Sequence, residues 1–227
     1  MTVVSNNNNI DLFYRVLVLG NERSGKSAFV ERLNRDAFRS DYIGTIGLDV
    51  ASQVLQSGEF WVNLQLFDCA GSAKFRRLLT SYVKQSHGVI LVFDATDRAS
   101  FAALPAWLDF VRAATPAATK RAAARTTLLV ATKCDSTQRV VDDAEVRAFA
   151  REHGCTYGEF DARTCTQRDA LVLVESLVSR LISDDTDAGR QQRAAAEEKA
   201  AADKRPAFLK VLDATFAQWK AKWICGL

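Results

Sequence analysis

Residues 20–27 carry the side chains and the spacing of a phosphate-binding loop. They read Gly-Asn-Glu-Arg-Ser-Gly-Lys-Ser and fit the pattern G-x-x-x-x-G-K-[ST], in which backbone N–H groups turn inward around a phosphate. Lys26 is expected to reach the outer phosphates, and the Ser27 hydroxyl is expected to bind Mg²⁺. The predicted phosphate contacts are Gly20, Glu22, Arg23, Ser24, Gly25, Lys26, Ser27 and Ala28.

Two further segments supply oxygen atoms and N–H groups for the same ion and phosphate. Asp68 and Gly71 form a D-x-x-G motif, in which the carboxylate holds Mg²⁺ through a water and the glycine N–H binds the γ-phosphate. Thr45, in the loop 42–47, is predicted to complete the Mg²⁺ shell and to sense the γ-phosphate. The metal ligands predicted from the sequence are therefore Ser27, Thr45 and Asp68.

A third group of residues has the chemistry to select a base. Asp135, in the run Thr132-Lys133-Cys134-Asp135, can accept both guanine N1–H and N2–H, a pair of donors that adenine does not offer. The Lys133 stem would cover the base plane, and the Ala162 N–H, beside Arg163, would contact the guanine carbonyl. The alternatives are a surface role for Asp135, a Thr45 that binds no metal, and a Glu22 that points into solvent.

Alternating strand-like and helix-like patterns provide the elements that must position these residues. Strands are predicted at 14–19, 48–56, 60–67, 88–94, 126–132 and 155–160, and helices at 26–34, 73–85, 98–114, 142–153 and 167–183. The pair Ser57-Gly58 predicts a hairpin, so one strand should be antiparallel. The fold class is α/β, with a six-stranded, mostly parallel sheet between two helical layers and ligands at the carboxyl ends of the strands.

The chain changes character after residue 183. We predict one domain at 12–183, a charged and alanine-rich linker or solvated helix at 184–205, and an amphipathic helix at 206–227. Its apolar stripe is expected to bind a partner helix, to lie in a membrane interface, or to fold back on the domain; it consists of Leu209, Leu212, Phe216, Trp219 and Trp223.

Composition excludes several classes of protein. The net charge of +3 is too small to indicate nucleic-acid binding, and no run of 18 apolar residues predicts a membrane span. The first residues lack the pattern of a secretory signal, and five scattered cysteines indicate reduced thiols in the cytoplasm. Cys225 stands third from the end rather than fourth, so stable anchoring by a lipid is not expected.

The order of these motifs resembles the Ras superfamily of small GTPases, and Thr45-Ile46-Gly47 resembles its Rab branch. The resemblance covers residues 12–183. It implies the P-loop GTPase fold, binding of GTP or GDP with Mg²⁺, and protein partners at two switch loops, 39–49 and 70–82. Ser72 stands where the family has a water-orienting glutamine and Glu22 where it has a small residue, so the resemblance implies slow hydrolysis and no catalytic residue. Thr132, Asp161 and Arg163 also depart from the family pattern.

A narrower likeness involves about thirty residues around the Asp68 motif. Asp68-Cys69, Ala73-Lys74-Phe75 and His87-Gly88-Val89 resemble the Rab-like subunits of the intraflagellar transport B complex. That likeness implies a docking subunit on coiled-coil partners in a cilium or flagellum. The alternatives are an endomembrane trafficking GTPase in the cytoplasm and a scaffold to which nucleotide is incidental.

Overall fold

The computed structural model of this chain describes residues 10–38, 44–45, 47–72, 75–115, 126–134 and 137–203, with side chains up to residue 186. Strands and helices alternate along it. In chain order they are β1 Leu12–Leu19, α1 Lys26–Arg35, β2 Leu48–Ser57, β3 Phe60–Cys69, α2 Arg76–Gln85, β4 Gly88–Asp94, α3 Arg98–Ala102, α4 Leu104–Ala114, β5 Thr126–Thr132, α5 Asp143–His153, β6 Thr156–Phe160 and α6 Gln167–Asp203.

The strands form a six-stranded sheet in the order β2-β3-β1-β4-β5-β6. Every neighbouring pair is parallel except β2 and β3, which are antiparallel with Ser57 opposite Phe60. Gly58 supplies a φ of 60° in the turn between them, a backbone conformation that glycine adopts without strain. The predicted α/β fold with one antiparallel strand is confirmed.

Helices cover both faces of the sheet. On one face, α2, α3, α4 and α5 pack Leu79, Phe101, Trp107 and Val146 against alternate strand residues such as Leu91. The strand residues between them point to the opposite face. On that face the Phe29 ring of α1 packs edge-to-face against Phe160, with ring centroids 5.0 Å apart. Leu177 of α6 packs close to Gly88 of β4, where an added Cβ would lie 3.5 Å from the leucine side chain. Burial on both faces explains why β4 and β5 are apolar throughout.

The single helix predicted at 98–114 is wrong, because the structure has two helices that meet at Ala103. The Asp97 side chain caps α3 by accepting a hydrogen bond from the Ala99 N–H. Pro105 then lies in the first turn of α4, where a missing N–H costs nothing, whereas in the middle of a helix it would remove a bond.

The chain divides into two units between Leu181 and Ile182. Helix α6 continues through the segment predicted as a linker or solvated helix and ends at Asp203. Within the part of the chain that the structure describes, no helix is long and apolar enough to cross a membrane. The predicted helix at 206–227, with its apolar stripe, lies outside the described residues.

Candidate functional site

The phosphate loop, residues 20–27, connects the buried end of β1 to the start of α1. Its backbone turns sharply, with φ values of 146° at Gly20, 61° at Arg23 and 87° at Gly25. A Cβ at Gly20 would lie 2.0 Å from the Val92 carbonyl oxygen, which leaves room for glycine alone. The loop therefore packs directly on the end of β4.

Lys26 begins α1 with its ammonium group held inside the loop. Its side chain is buried, and Nζ donates a hydrogen bond to the Asn21 carbonyl oxygen at 2.7 Å. Burial lowers the pKa of Lys26, because the charged form loses solvation. No side chain caps the α1 N-terminus, and its first turn carries no acidic residue, so the N–H groups of Ser27 and Ala28 lie at an end of the helix that favours anions.

Ser27, Thr45 and Asp68 bring three side-chain oxygen atoms together from α1, a loop and β3. The Ser27 hydroxyl donates to Asp68 Oδ2 at 2.5 Å and lies 3.0 Å from Thr45 Oγ1. Asp68 Oδ1 is buried and has no hydrogen-bond partner among the residues that the structure describes. Burial raises the pKa of the Asp68 carboxyl group above its ordinary value, since nothing in the protein fully replaces the lost water.

This set of oxygen atoms fits Mg²⁺. Magnesium prefers hard oxygen ligands and is usually bound by one or two carboxylates together with phosphates and water. Among the described residues there is no group of three or more His, Cys, Asp or Glu that would suit another metal. The unpartnered Asp68 Oδ1 is the atom that a bound ion or its water would satisfy.

Gly71 lies against the backbone of the phosphate loop. A Cβ at Gly71 would come within 2.4 Å of the Glu22 nitrogen and 2.5 Å of the Asn21 carbonyl carbon. The segment after β3 is thus in close contact with the backbone of the phosphate loop. Glu22 itself is an exposed residue of this loop.

Thr132 and Lys133 form side-chain hydrogen bonds with the backbone of the phosphate loop. Thr132 Oγ1 lies 2.8 Å from the Ser24 carbonyl oxygen and 3.0 Å from that of Phe93, so one hydroxyl joins the loop to β4. Lys133 donates to the Arg23 carbonyl oxygen at 3.2 Å and forms an ion pair with Asp94. Asp135, the predicted guanine ligand, lies outside the described residues.

Ala162 and Arg163 belong to a tight turn after β6, residues 161–165, which we call the base loop. Asp161 Oδ1 accepts a hydrogen bond from the Arg163 N–H at 2.9 Å, and the Asp161 carbonyl oxygen accepts from the Cys165 N–H at 2.8 Å. The buried Asp161 therefore shapes the turn that carries Ala162.

Most of the predicted residues surround one pocket of about 1190 Å³. Of the predicted site, its lining includes Glu22, Arg23, Gly25, Lys26, Ser27, Ala28, Thr45, Asp68, Gly71 and Lys133. Gly20, Ser24, Thr132, Ala162 and Arg163 do not line it. Gly20 and Thr132 instead hold the loop against β4.

Trp107, Arg76 and Arg32 support the site and were not predicted from the sequence. Trp107 of α4 donates its ring N–H to Asn21 Oδ1 at 3.0 Å, and the Arg76 guanidinium lies 4.7 Å from the Trp107 ring centroid. Arg32 of α1 donates to the Ala162 carbonyl oxygen at 2.5 Å. Trp107 and Asn21 are 86 positions apart in the sequence, and Arg32 and Ala162 are 130 positions apart. Local sequence patterns do not predict contacts over such separations.

The four cysteines in the described part of the chain are free thiols. Burial raises the pKa of Cys69, beside the predicted metal ligand Asp68, to about 12. A neutral thiol at this position packs as a small apolar side chain and does not compete for the ion.

Comparison with known proteins agrees with this geometry. The model of the Ras family matches residues 15–182. The chain is 35% identical over 158 residues to the GTP-binding protein YPTM1 of Zea mays, covering 69% of this chain and 73% of that protein. It is 33% identical over 180 residues to the GTP-binding protein YPT1 of Saccharomyces cerevisiae, covering 78% of this chain and 84% of that protein. It is 31% identical over 160 residues to the Ras-related protein Rab-13 of Canis lupus familiaris, covering 70% of this chain and 76% of that protein.

Proposed function

This chain belongs to the Ras family, and from that premise we propose that it is a guanine-nucleotide-binding switch with slow hydrolysis of its own. The observation that carries the proposal is the convergence of Ser27, Thr45 and Asp68 beside the buried ammonium group of Lys26. The relatives named as GTP-binding proteins support the choice of nucleotide.

Each group has a defined part in binding. The loop N–H groups and Lys26 neutralise the phosphates, while Ser27, Thr45 and Asp68 would hold Mg²⁺, which offsets the charge between the outer phosphates. Gly71, packed on the loop, would direct its N–H at the γ-phosphate. Thr45 and Gly71 therefore belong to the parts of the chain whose order depends on that phosphate.

Slow hydrolysis follows from the side chains next to Gly71. Ser72 replaces the residue that would orient the attacking water, and a serine hydroxyl is too short to take that part. Glu22 adds an exposed carboxylate at the rim of the phosphate pocket, where negative charge opposes the charge that develops during phosphoryl transfer.

Single-turnover cleavage of bound GTP tests this proposal. We expect Ser72→Gln to raise the rate at least tenfold, while the matched change Ser81→Gln, in the exposed part of α2, leaves it unchanged. A wild-type rate equal to that of ordinary Rab proteins, or no response to Ser72→Gln, would contradict slow intrinsic hydrolysis without touching nucleotide binding.

Partner docking is proposed at the two switch loops, 39–49 and 70–82. Leu78, in the second of these loops, and Val50, next to the first, expose 48% and 46% of their surface, and both are available for contact with a protein partner. Relatives named Ypt and Rab support a membrane-trafficking switch in the cytoplasm as the first candidate. The likeness around Asp68-Cys69 favours a ciliary docking subunit on coiled-coil partners as the second.

Copurification separates these candidates from a nucleotide-independent scaffold. Partners captured by the wild-type protein are expected to be lost with Ser27→Asn, which weakens the metal site, and kept with the exposed control Ser81→Asn. Capture that is unchanged by Ser27→Asn would favour the scaffold. The identity of the captured chains, vesicle regulators or coiled-coil ciliary subunits, decides between the first two.

A further inference from the structure

Arg32 forms a side-chain hydrogen bond with the backbone of the base loop. It lies on α1, and its guanidinium is largely buried, with 15% of the side chain exposed. Nη2 donates to the Ala162 carbonyl oxygen at 2.5 Å, and Nη1 donates to the Asp36 carbonyl oxygen at 3.1 Å. A planar fork of donors suits this double anchoring, which a lysine would not reproduce.

Asp36 extends the same contact to α6. It ends α1 with a φ of 51°, and its Oδ1 lies 3.4 Å from Arg32 Nη1 and accepts a hydrogen bond from the Gln167 N–H at 2.8 Å. The Gln167 side chain donates in turn to the Leu33 carbonyl oxygen at 2.8 Å. The end of α1, the base loop and the start of α6 are therefore fixed to one another.

These contacts fix both peptide planes around Ala162. The Asp161 carbonyl shares a peptide unit with the Ala162 N–H, and it points into the turn to accept from Cys165, so the N–H points away from the turn. Arg32 anchors the following peptide through the Ala162 carbonyl oxygen. Among the described residues, none accepts a hydrogen bond from the Ala162 N–H, which leaves that donor for a ligand.

We propose that Arg32 is a positioning residue for base recognition: it holds the Ala162 peptide so that the N–H meets the carbonyl oxygen at position 6 of guanine. The inference rests on the proposed function, because it assumes a guanine nucleotide in the phosphate pocket. Arg32 does not touch the base. It acts on selectivity through the rigidity of the base loop.

A comparison of two nucleotides tests this inference. GDP carries the position-6 oxygen, whereas 6-thioguanosine diphosphate carries a sulfur there, which accepts hydrogen bonds poorly, and keeps the N1–H and N2–H groups that Asp135 is predicted to bind. One hydrogen bond is worth about 1 kcal/mol, so the wild-type protein should prefer GDP by roughly fivefold to tenfold. In Arg32→Ala the preference should fall at least threefold, with Arg32→Lys between the two. Arg151→Ala, at an exposed position of α5 outside the pocket lining, serves as the control and should keep the wild-type ratio.

The ratio distinguishes positioning from general support of the fold. If Arg32→Ala weakens both nucleotides equally, Arg32 is only structural and the inference is wrong. Arg32→Lys retains the charge and provides the comparison if the alanine variant fails to fold. If the wild-type protein binds neither nucleotide, the proposed function is wrong and this inference falls with it, whereas tight GDP binding with an unchanged ratio overturns the inference alone.

Discussion

At the scale of single residues, the site buries two ionisable groups, Asp68 and Lys26, and burial of their charged forms lowers the stability of the folded protein. Burial raises the pKa of Asp68 and lowers the pKa of Lys26. Asp68 binds its proton more tightly in the folded protein than in the unfolded chain. The stability of the fold therefore falls as the pH rises from the ordinary pKa of 3.8 to the raised pKa of the folded state. Lys26 has the opposite effect: the stability of the fold rises with pH between the lowered pKa of folded Lys26 and its ordinary pKa of 10.5. Both groups therefore cost stability at neutral pH unless a polyphosphate and its metal ion are bound.

Asp68→Asn tests this balance. The neutral amide removes a buried charge, so the nucleotide-free protein should melt at the same temperature or higher. The same change removes the anionic metal ligand, so the rise in melting temperature that Mg²⁺ gives to the GDP-bound protein should largely disappear. Thermal melts with Mg²⁺ or with a chelator measure both effects. Asp109→Asn, on the exposed face of α4, should leave both unchanged, and a full Mg²⁺ effect in Asp68→Asn would refute the metal assignment.

Gly71→Ala tests the contact between the segment after β3 and the phosphate loop. The added methyl would strike loop backbone, which has no side-chain freedom with which to yield. We expect the ratio of GTP affinity to GDP affinity to fall about tenfold, a loss of roughly 1.4 kcal/mol in the γ-phosphate contact alone. Gly58→Ala, at a turn with open space and a φ of 60°, should lower the melting temperature but keep the ratio. Equal losses for both nucleotides in Gly71→Ala would contradict a γ-phosphate contact.

At the scale of elements, α4 connects the phosphate loop to α2. Trp107 is 1% exposed, donates to Asn21, and carries the Arg76 guanidinium on its ring, while Arg76 begins α2. Lys26 bonds the carbonyl of the same Asn21. One buried side chain, that of Trp107, thus contacts both the predicted phosphate loop and the helix proposed to bind partners.

Trp107→Phe should keep the apolar packing and the cation–π contact but remove the ring N–H. The loss of one buried hydrogen bond, with Asn21 Oδ1 left without its donor, should lower the free energy of unfolding by about 1–3 kcal/mol and speed nucleotide release. Urea unfolding and the dissociation rate of a fluorescent GDP analogue measure these effects. Trp61→Phe, at the start of β3 and away from the loop, is the control for the loss of an indole ring. Equal rates of nucleotide release in the two variants would contradict a role of Trp107 in holding the nucleotide.

The sequence predicted most of the fold and much of the site because local signals are strong there. Glycines at required φ values, the Lys26-Ser27 pair and the apolar strands β4 and β5 all leave a pattern in neighbouring residues. Pro105 was also visible, but its place in a first helical turn rather than a helix interior depends on Asp97 capping the short helix before it. The contacts made by Trp107 and Arg32 depend on tertiary folding and leave no such pattern.

At the scale of the whole molecule, the core that supports the site ends inside α6. Val174, Leu177, Val178 and Leu181 are buried, and the first unit of the chain ends at Leu181. The rest of α6, through Asp203, belongs to the second unit. Nucleotide binding should therefore depend on the helix only up to about this residue.

A chain that ends at residue 186 tests that expectation. It should bind GDP within about twofold of the full chain, because all described core and pocket residues remain. A chain that ends at residue 173 loses four buried side chains, each worth about 2–4 kcal/mol, and should not fold. Calorimetry and circular dichroism measure both. A large loss of affinity in the 186-residue chain would show that the second unit contributes to the site.

The most direct test of the account is calorimetric titration of the nucleotide-stripped protein with GDP in the presence of Mg²⁺, with ADP as the comparison. The account predicts one saturable site per chain for GDP, lost in Lys26→Ala, and at least a hundredfold weaker binding of ADP. No measurable heat with GDP, joined to no rise in melting temperature, would contradict the claim that residues 20–27 enclose the phosphates of a guanine nucleotide.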